Sequence, residues 1–189
     1  MDDSIIIHDL RRGIPFDDAS VDVVYHSHLL EHIDRSAAPQ FLREIRRVLK
    51  PGGIHRIVVP DMEKLCRRYL EHLVQCMEEG RERGEHDVYI AKIIQQMVQR
   101  GAFGTSQQRP LRRAIENILL GDARRRGETH QWMYDRVNLH HLLESVGFSE
   151  IRIVDYSTSA IPDWNSIGLD RNEHGIEYKP ESLYTEAFR

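Results

Sequence analysis

Short β-branched runs alternate with segments long enough for helices, and this alternation constrains the chain more than any other feature. The runs are Ser4–His8, Val21–Tyr25, Ile54–Val59, Ile151–Tyr156 and Leu183–Phe188. Runs this short and apolar suit strands buried on both faces. Between them lie helical patterns. Phe41, Leu42, Ile45, Val48 and Leu49 share one face behind Pro39 in a first-turn position, and Lys50-Pro51-Gly52-Gly53 ends that helix. Asp61 can cap a second helix with a stripe of Leu65, Cys66, Tyr69, Leu73, Cys76 and Met77, broken near Gly80 and Gly84. Val88–Val98 and Leu111–Leu120 read as two more helices. Asp135 caps another, with Val137, Leu142, Leu143 and Val146 inside and Gly147 past its end. The order predicts an α/β domain over residues 1–189 with a mostly parallel sheet and a helical insertion or lid at about 81–131.

Composition narrows the function. No apolar run reaches the roughly 18–20 residues of a membrane span. The acidic start Met1-Asp2-Asp3-Ser4 predicts no signal peptide, and two cysteines, Cys66 and Cys76, build no disulfide framework, so a cytoplasmic protein is expected. The net charge of −4 argues against nucleic acid as an obligatory partner. Against that background, Arg100–Arg126 holds seven arginines and only Glu116 and Asp122, a local excess of five positive charges. It reads as a solvated helix face or a patch for an anionic substrate.

Three pieces stand in order along the first third of the chain. The first is Ile14-Pro15-Phe16-Asp17-Asp18-Ala19-Ser20-Val21-Asp22-Val23-Val24. The second is His26-Ser27-His28-Leu29-Leu30-Glu31-His32. The third runs from Phe41-Leu42-Arg43-Glu44 through Arg47-Val48-Leu49-Lys50-Pro51-Gly52-Gly53 to Val59-Pro60-Asp61. Together they resemble the class I, Rossmann-like S-adenosylmethionine-dependent methyltransferases, in particular their type 11 branch. Trp132-Met133-Tyr134-Asp135, Val146-Gly147-Phe148 and the closing Ser182-Leu183-Tyr184-Thr185-Glu186-Ala187 are similar to the tail of that family.

The resemblance implies S-adenosyl-L-methionine as cofactor and a partial Rossmann-like sheet from the order 3-2-1-4-5-7-6, with Ile5–His8 as its third strand and Leu183–Phe188 antiparallel between the strands at 54–59 and 151–156. In open α/β sheets ligands bind at the carboxyl ends of the strands. By the resemblance Asp9 meets the adenine amine, the Leu10 backbone N–H meets a ring nitrogen, and His26 and Ser27 contact the methionine moiety. His28 then sits nearest the transferring methyl group. Methyl transfer to a sulfonium electrophile needs alignment and at most a base for the acceptor's proton. Imidazole titrates near neutral pH, which makes His28 the candidate base. Glu31 and His32 follow it in a packing and helix-end position. The acceptors implied are small molecules, lipids or sugars.

No Gly-x-Gly lies upstream of Asp9. The first two strands of the family, with their glycine-rich loop and ribose-binding acid, are therefore expected to be missing. The chain is expected to be a fragment, a misassigned start or a degenerate product that binds cofactor weakly when isolated. Its fourth strand would be an open edge inviting self-association. Two other readings remain. A non-catalytic interaction module would explain the missing loop. A metal-dependent hydrolase would use His26, His28 and His32, with Glu31 and with His55, His130, His140 or His141 as further ligands, although the methyltransferase reading itself assigns no metal site.

Overall fold

A computed structural model describes residues 5–78, 85–97 and 129–189. Four strands, β1 (Val21–Ser27), β2 (Leu49–Pro60), β3 (Ser149–Val154) and β4 (Ser182–Phe188), form one sheet in the order β1-β2-β4-β3. β1 and β2 pair parallel, and β4 runs antiparallel to both β2 and β3. Three strands thus share a direction, and the closing strand is wedged between two of them, as expected. The order reproduces the 4-5-7-6 portion of the family's sheet. The helices are α1 (Ala38–Val48), α2 (Met62–Glu78), α3 (His86–Gln96), α4 (Arg136–Ser145) and the single turn α5 (Trp164–Ile167), with 3-10 turns at Leu10–Arg12 and Leu30–His32.

The principal core lies between the sheet and helices α1 and α4. Leu42 and Ile45 of α1, Ile57 and Val59 of β2, Leu139 and Leu143 of α4, and Leu183 and Ala187 of β4 close into one apolar cluster. Each fully buried aliphatic side chain contributes about 1.5–3 kcal/mol. Helix α1 gives way directly to β2 because Leu49 adopts an extended conformation. The turn-like start of β2 needs its glycines: Gly52 has φ +76, and a Cβ on Gly53 would lie 2.9 Å from the Lys50 carbonyl oxygen and 3.0 Å from that of Asp22. Asp135 caps α4 by accepting from the N–H groups of Val137 and Asn138, each at 2.8 Å, while Asn138 Oδ1 accepts from Asp135 N.

The other face of the sheet is organised around a charge. Arg56 is fully buried on β2. Its Nε donates to Asp170 Oδ2 at 2.8 Å, Nη1 to Glu186 Oε1 at 2.7 Å and to the Thr158 carbonyl at 2.9 Å. Nη2 donates to the Asp155 carbonyl at 2.9 Å and lies 2.7 Å from Asp170 Oδ2. The five N–H groups of the guanidinium therefore meet five contacts. The network extends to Tyr25, whose hydroxyl donates to Asp170 Oδ1 at 2.8 Å, and to Ala160 N, which donates to Glu186 Oε2 at 2.9 Å. It fastens residues 155–170 over the sheet.

Several local expectations are corrected. Ile5–His8 is not a strand: these residues carry no regular structure and are exposed, Ile7 by 82%. A β-branched run forms a strand only beside a partner that takes its N–H and C=O groups, and β1 pairs only with β2 among the described residues. In α2, Met77 faces solvent and His72 is buried instead, so that Leu65, His72 and Cys76 make the buried stripe. In α4, Val137 is exposed and Leu139 is buried. The fourth run stops at Val154 because the Asp155 carboxylate folds back to accept from Ser157 N and Thr158 N, a local turn that ends pairing. Helix α3, His86–Gln96, covers most of the expected helix at Val88–Val98, whose last residue lies outside the described ones. The break at Gly80 and Gly84, the helix at 111–120 and the arginine cluster lie outside the described residues.

Candidate functional site

The carboxyl ends of β1 and β2 meet the amino end of β4, and polar groups gather there. β1 ends at Ser27, and His28 follows with φ +50, a left-handed conformation uncommon for a side chain of its size. Its backbone N–H donates to the Val58 carbonyl on β2 at 2.9 Å. This bend turns the imidazole between two elements. Nε2 lies 3.0 Å from Ser182 Oγ at the start of β4, and Nδ1 lies 3.3 Å from Glu31 Oε1. The second contact is within ion-pair distance but is not aligned as a hydrogen bond, so neither Glu31 carboxylate oxygen has a hydrogen-bond partner among the described residues.

Glu31 is only 1% exposed, on the 3-10 turn Leu30–His32. Its carbonyl accepts from Gln131 N at 2.6 Å and, more weakly, from Trp132 N at 3.3 Å, which brings the 129–134 segment over the site. Burial raises the Glu31 carboxyl to about 7. Burial, supported by the Lys179 charge and the neighbouring imidazoles of His130 and His32, lowers His28 to about 4. Near neutral pH the imidazole is therefore uncharged and the carboxyl is close to half-ionised. In the tautomer protonated at Nδ1, the Nε2 lone pair faces Ser182 Oγ and is able to accept a hydroxyl proton.

The surroundings are built from both strand ends. Asp61, 3% exposed, caps α2 by accepting from Glu63 N at 3.0 Å and Lys64 N at 3.3 Å, and burial raises its carboxyl. Lys64 Nζ donates to the Ser182 carbonyl at 2.5 Å, steadying the backbone that carries the His28 partner. The Tyr134 hydroxyl, buried near Glu31, has no hydrogen-bond partner among the described residues, and burial followed by the Glu31 charge raises its pKa.

Other sequence candidates fall elsewhere. His26 points into the core beneath α1, its ring 5.8 Å from Phe41 and 5.0 Å from His55, and burial lowers it to about 4. Only the backbone of His26 is thus left for contacts at the strand end. Ser27 is half-buried at that end, whereas Asp9 and Leu10 are exposed at the 3-10 turn before Ile14. The alternative ligand set changes membership. The groups within reach of one ion are Glu31, His32 and His130, with ligand atoms within 4.8 Å of one another, and His26 and His28 are not among them. His130 Nδ1 lies 2.9 Å from the Gln96 carbonyl oxygen. Sequence reasoning did not find Ser182, because it stands on a strand far along the chain. The i,i+3 spacing of His28 and Glu31 is present in the sequence but by itself implies no more than packing.

The sheet is Rossmann-like in its order, and an imidazole, a buried carboxyl and a hydroxyl stand at its strand ends, where ligands bind in open α/β sheets. Residues 3–57 match the model of a methyltransferase domain. A probable S-adenosylmethionine-dependent methyltransferase of Mycolicibacterium smegmatis is 42% identical over 57 residues, 28% of this chain and 21% of that protein. The chain therefore spans about a fifth of the length of this relative. A methyltransferase structure from Archaeoglobus fulgidus superposes with a TM-score of 0.41 at 14% identity, covering 92% of this chain and 62% of that one. One from Mesorhizobium loti gives 0.42 at 16%, covering 96% and 68%. Residues 3–57 are thus similar to a methyltransferase domain, and the order of the four strands agrees with the 4-5-7-6 portion of the sheet expected from that resemblance.

Proposed function

We propose that the chain takes part in methyl transfer from S-adenosyl-L-methionine to a small-molecule, lipid or sugar acceptor in the cytoplasm, with His28 as the base for the acceptor's proton. The observation that carries this is the placement of His28 at the end of β1, between Ser182 Oγ and the Glu31 carboxylate. Asp9, Leu10, His26 and Ser27 form the cofactor side, His26 through its backbone. The cofactor supplies an activated methyl group, so the protein has only to align the acceptor and receive a proton. An uncharged imidazole is ready to do so, and a carboxylate beside it steadies the imidazolium that results.

The test uses release of S-adenosylhomocysteine over a panel of hydroxyl and amine acceptors. His28→Ala should lower turnover about 100- to 10,000-fold, the range of a general base, with cofactor affinity unchanged. In a protein carrying the whole cofactor-binding half of the domain, Asp9→Ala should weaken cofactor binding by about 1–3 kcal/mol. Unchanged turnover in the first variant removes His28 as the base, and unchanged affinity in the second removes Asp9 from the cofactor site.

A further inference from the structure

A second polar cluster stands apart from the strand ends, between α2 and α3. His72 and Cys76 are one turn apart on α2, both buried, and face His86 in the first turn of α3. His72 Nδ1 lies 3.1 Å from His86 Nδ1 and 3.4 Å from Cys76 Sγ. One ligand atom from each of the three residues falls within 4.8 Å of the others. A single imidazole nitrogen is thus met at close range by another imidazole nitrogen and a thiol. These lengths are close to the edges of a coordination tetrahedron. Zn–N bonds of about 2.0–2.1 Å and a Zn–S bond of about 2.3 Å, at tetrahedral angles, put N and N roughly 3.3 Å apart and N and S roughly 3.6 Å apart.

The rings are also held in place. His72 stacks on Tyr89 with centroids 4.4 Å apart, and His86 tilts against Tyr69 at 5.2 Å. Helix α3 needs such an attachment, because it has no buried residue of its own and reaches the body through polar links such as Lys92 to Glu181 at 2.9 Å. Two imidazoles and a thiol, with no carboxylate, suit a borderline-soft ion over magnesium or calcium.

We infer that His72, Cys76 and His86 form a binding site for a zinc-type divalent cation that clamps α3 to α2. Three protein ligands leave the fourth position to water. Binding deprotonates Cys76 and releases its proton to solvent. The site is independent of the methyl-transfer reading.

The test is titration of the reduced, chelator-treated 189-residue chain with Co2+ alone, followed by Zn2+. Equimolar Co2+ should give tetrahedral visible bands and a thiolate-to-cobalt charge-transfer band, both abolished by Zn2+, which binds more tightly. Cys76→Ser should remove the charge-transfer band and weaken binding at least about 100-fold, since even changes outside the ligand shell cost about 10- to 100-fold. Cys66→Ser should leave spectrum and affinity as they are. The Glu31, His32 and His130 group has no sulfur, so binding there gives no charge-transfer band. A folded wild-type chain without that band, a band that survives Cys76→Ser, or one lost in Cys66→Ser overturns the inference.

Discussion

The two faces of the sheet bury polar groups in opposite ways. On the Arg56 face, Asp170, Glu186, Tyr25 and three backbone carbonyl or amide groups satisfy one another, with the Trp164 indole N–H and, next to Asp170, Arg171 Nε as exceptions among the described residues. On the α1 side and at the strand ends, both ring nitrogens of His26 and of His55, both carboxylate oxygens of Glu31 and the Tyr134 hydroxyl lack hydrogen-bond partners among the described residues. A satisfied buried network spends its polarity on holding a segment in place. An unsatisfied buried group keeps its polarity for something else, at a cost in stability of about 1–3 kcal/mol. The first arrangement builds a wall and the second leaves chemistry at hand.

The largest test of this contrast is at Arg56. Arg56→Met strands Asp170 and Glu186 as buried charges, and should destabilise the chain by about 3–5 kcal/mol in urea unfolding. Replacing all three by apolar residues should restore most of the loss. If the single variant costs no more than a surface change, the network is not what fixes residues 155–170.

Next in size is Glu31. Its folded carboxyl, raised to about 7 from an ordinary 4.5, holds a proton that the unfolded chain has already lost. The stability from that proton is full below about pH 4.5 and fades as the pH climbs through 7. Each pKa unit is worth about 1.4 kcal/mol, so the loss reaches about 3 kcal/mol. Glu31→Gln should therefore exceed the wild type by up to this amount at pH 8 and match it near pH 4.5. Parallel stability curves would place Glu31 among the satisfied groups.

Most of the sheet was legible in the sequence because short β-branched runs between capped helices carry their own pattern. The position of β4 could be read from the closing motif. Residues 5–8 failed because propensity says what a segment tolerates and not whether a neighbour exists. The Arg56 network and the His28–Ser182 contact were invisible, since their partners stand more than a hundred residues away, brought together by topology alone. His72 stands outside the expected stripe of α2, yet the 65, 72, 76 spacing on one helix face makes room for it.

The smallest test sharpens the contrast at His26. Its imidazole, held down to about 4 by burial, stays neutral while the unfolded chain picks up a proton near 6.5. Its contribution is complete above pH 6.5 and is lost as the pH falls through 4. His26→Phe should remove about 2 kcal/mol of the wild-type loss between pH 6.5 and pH 5, seen as a flatter acid limb in thermal melts. An unchanged limb would mean that His26 finds a partner in solution.

The place of β4 has a consequence for how the chain is made. β2 is complete at Pro60, but the strand that joins it to β3 begins only at Ser182. During synthesis the first half of the sheet waits for roughly 120 further residues, about ten seconds at 5–20 residues per second. Throughout that interval the growing chain exposes one flank of β2, so its exposure to chaperones and to mispairing is set by the ribosome's pace.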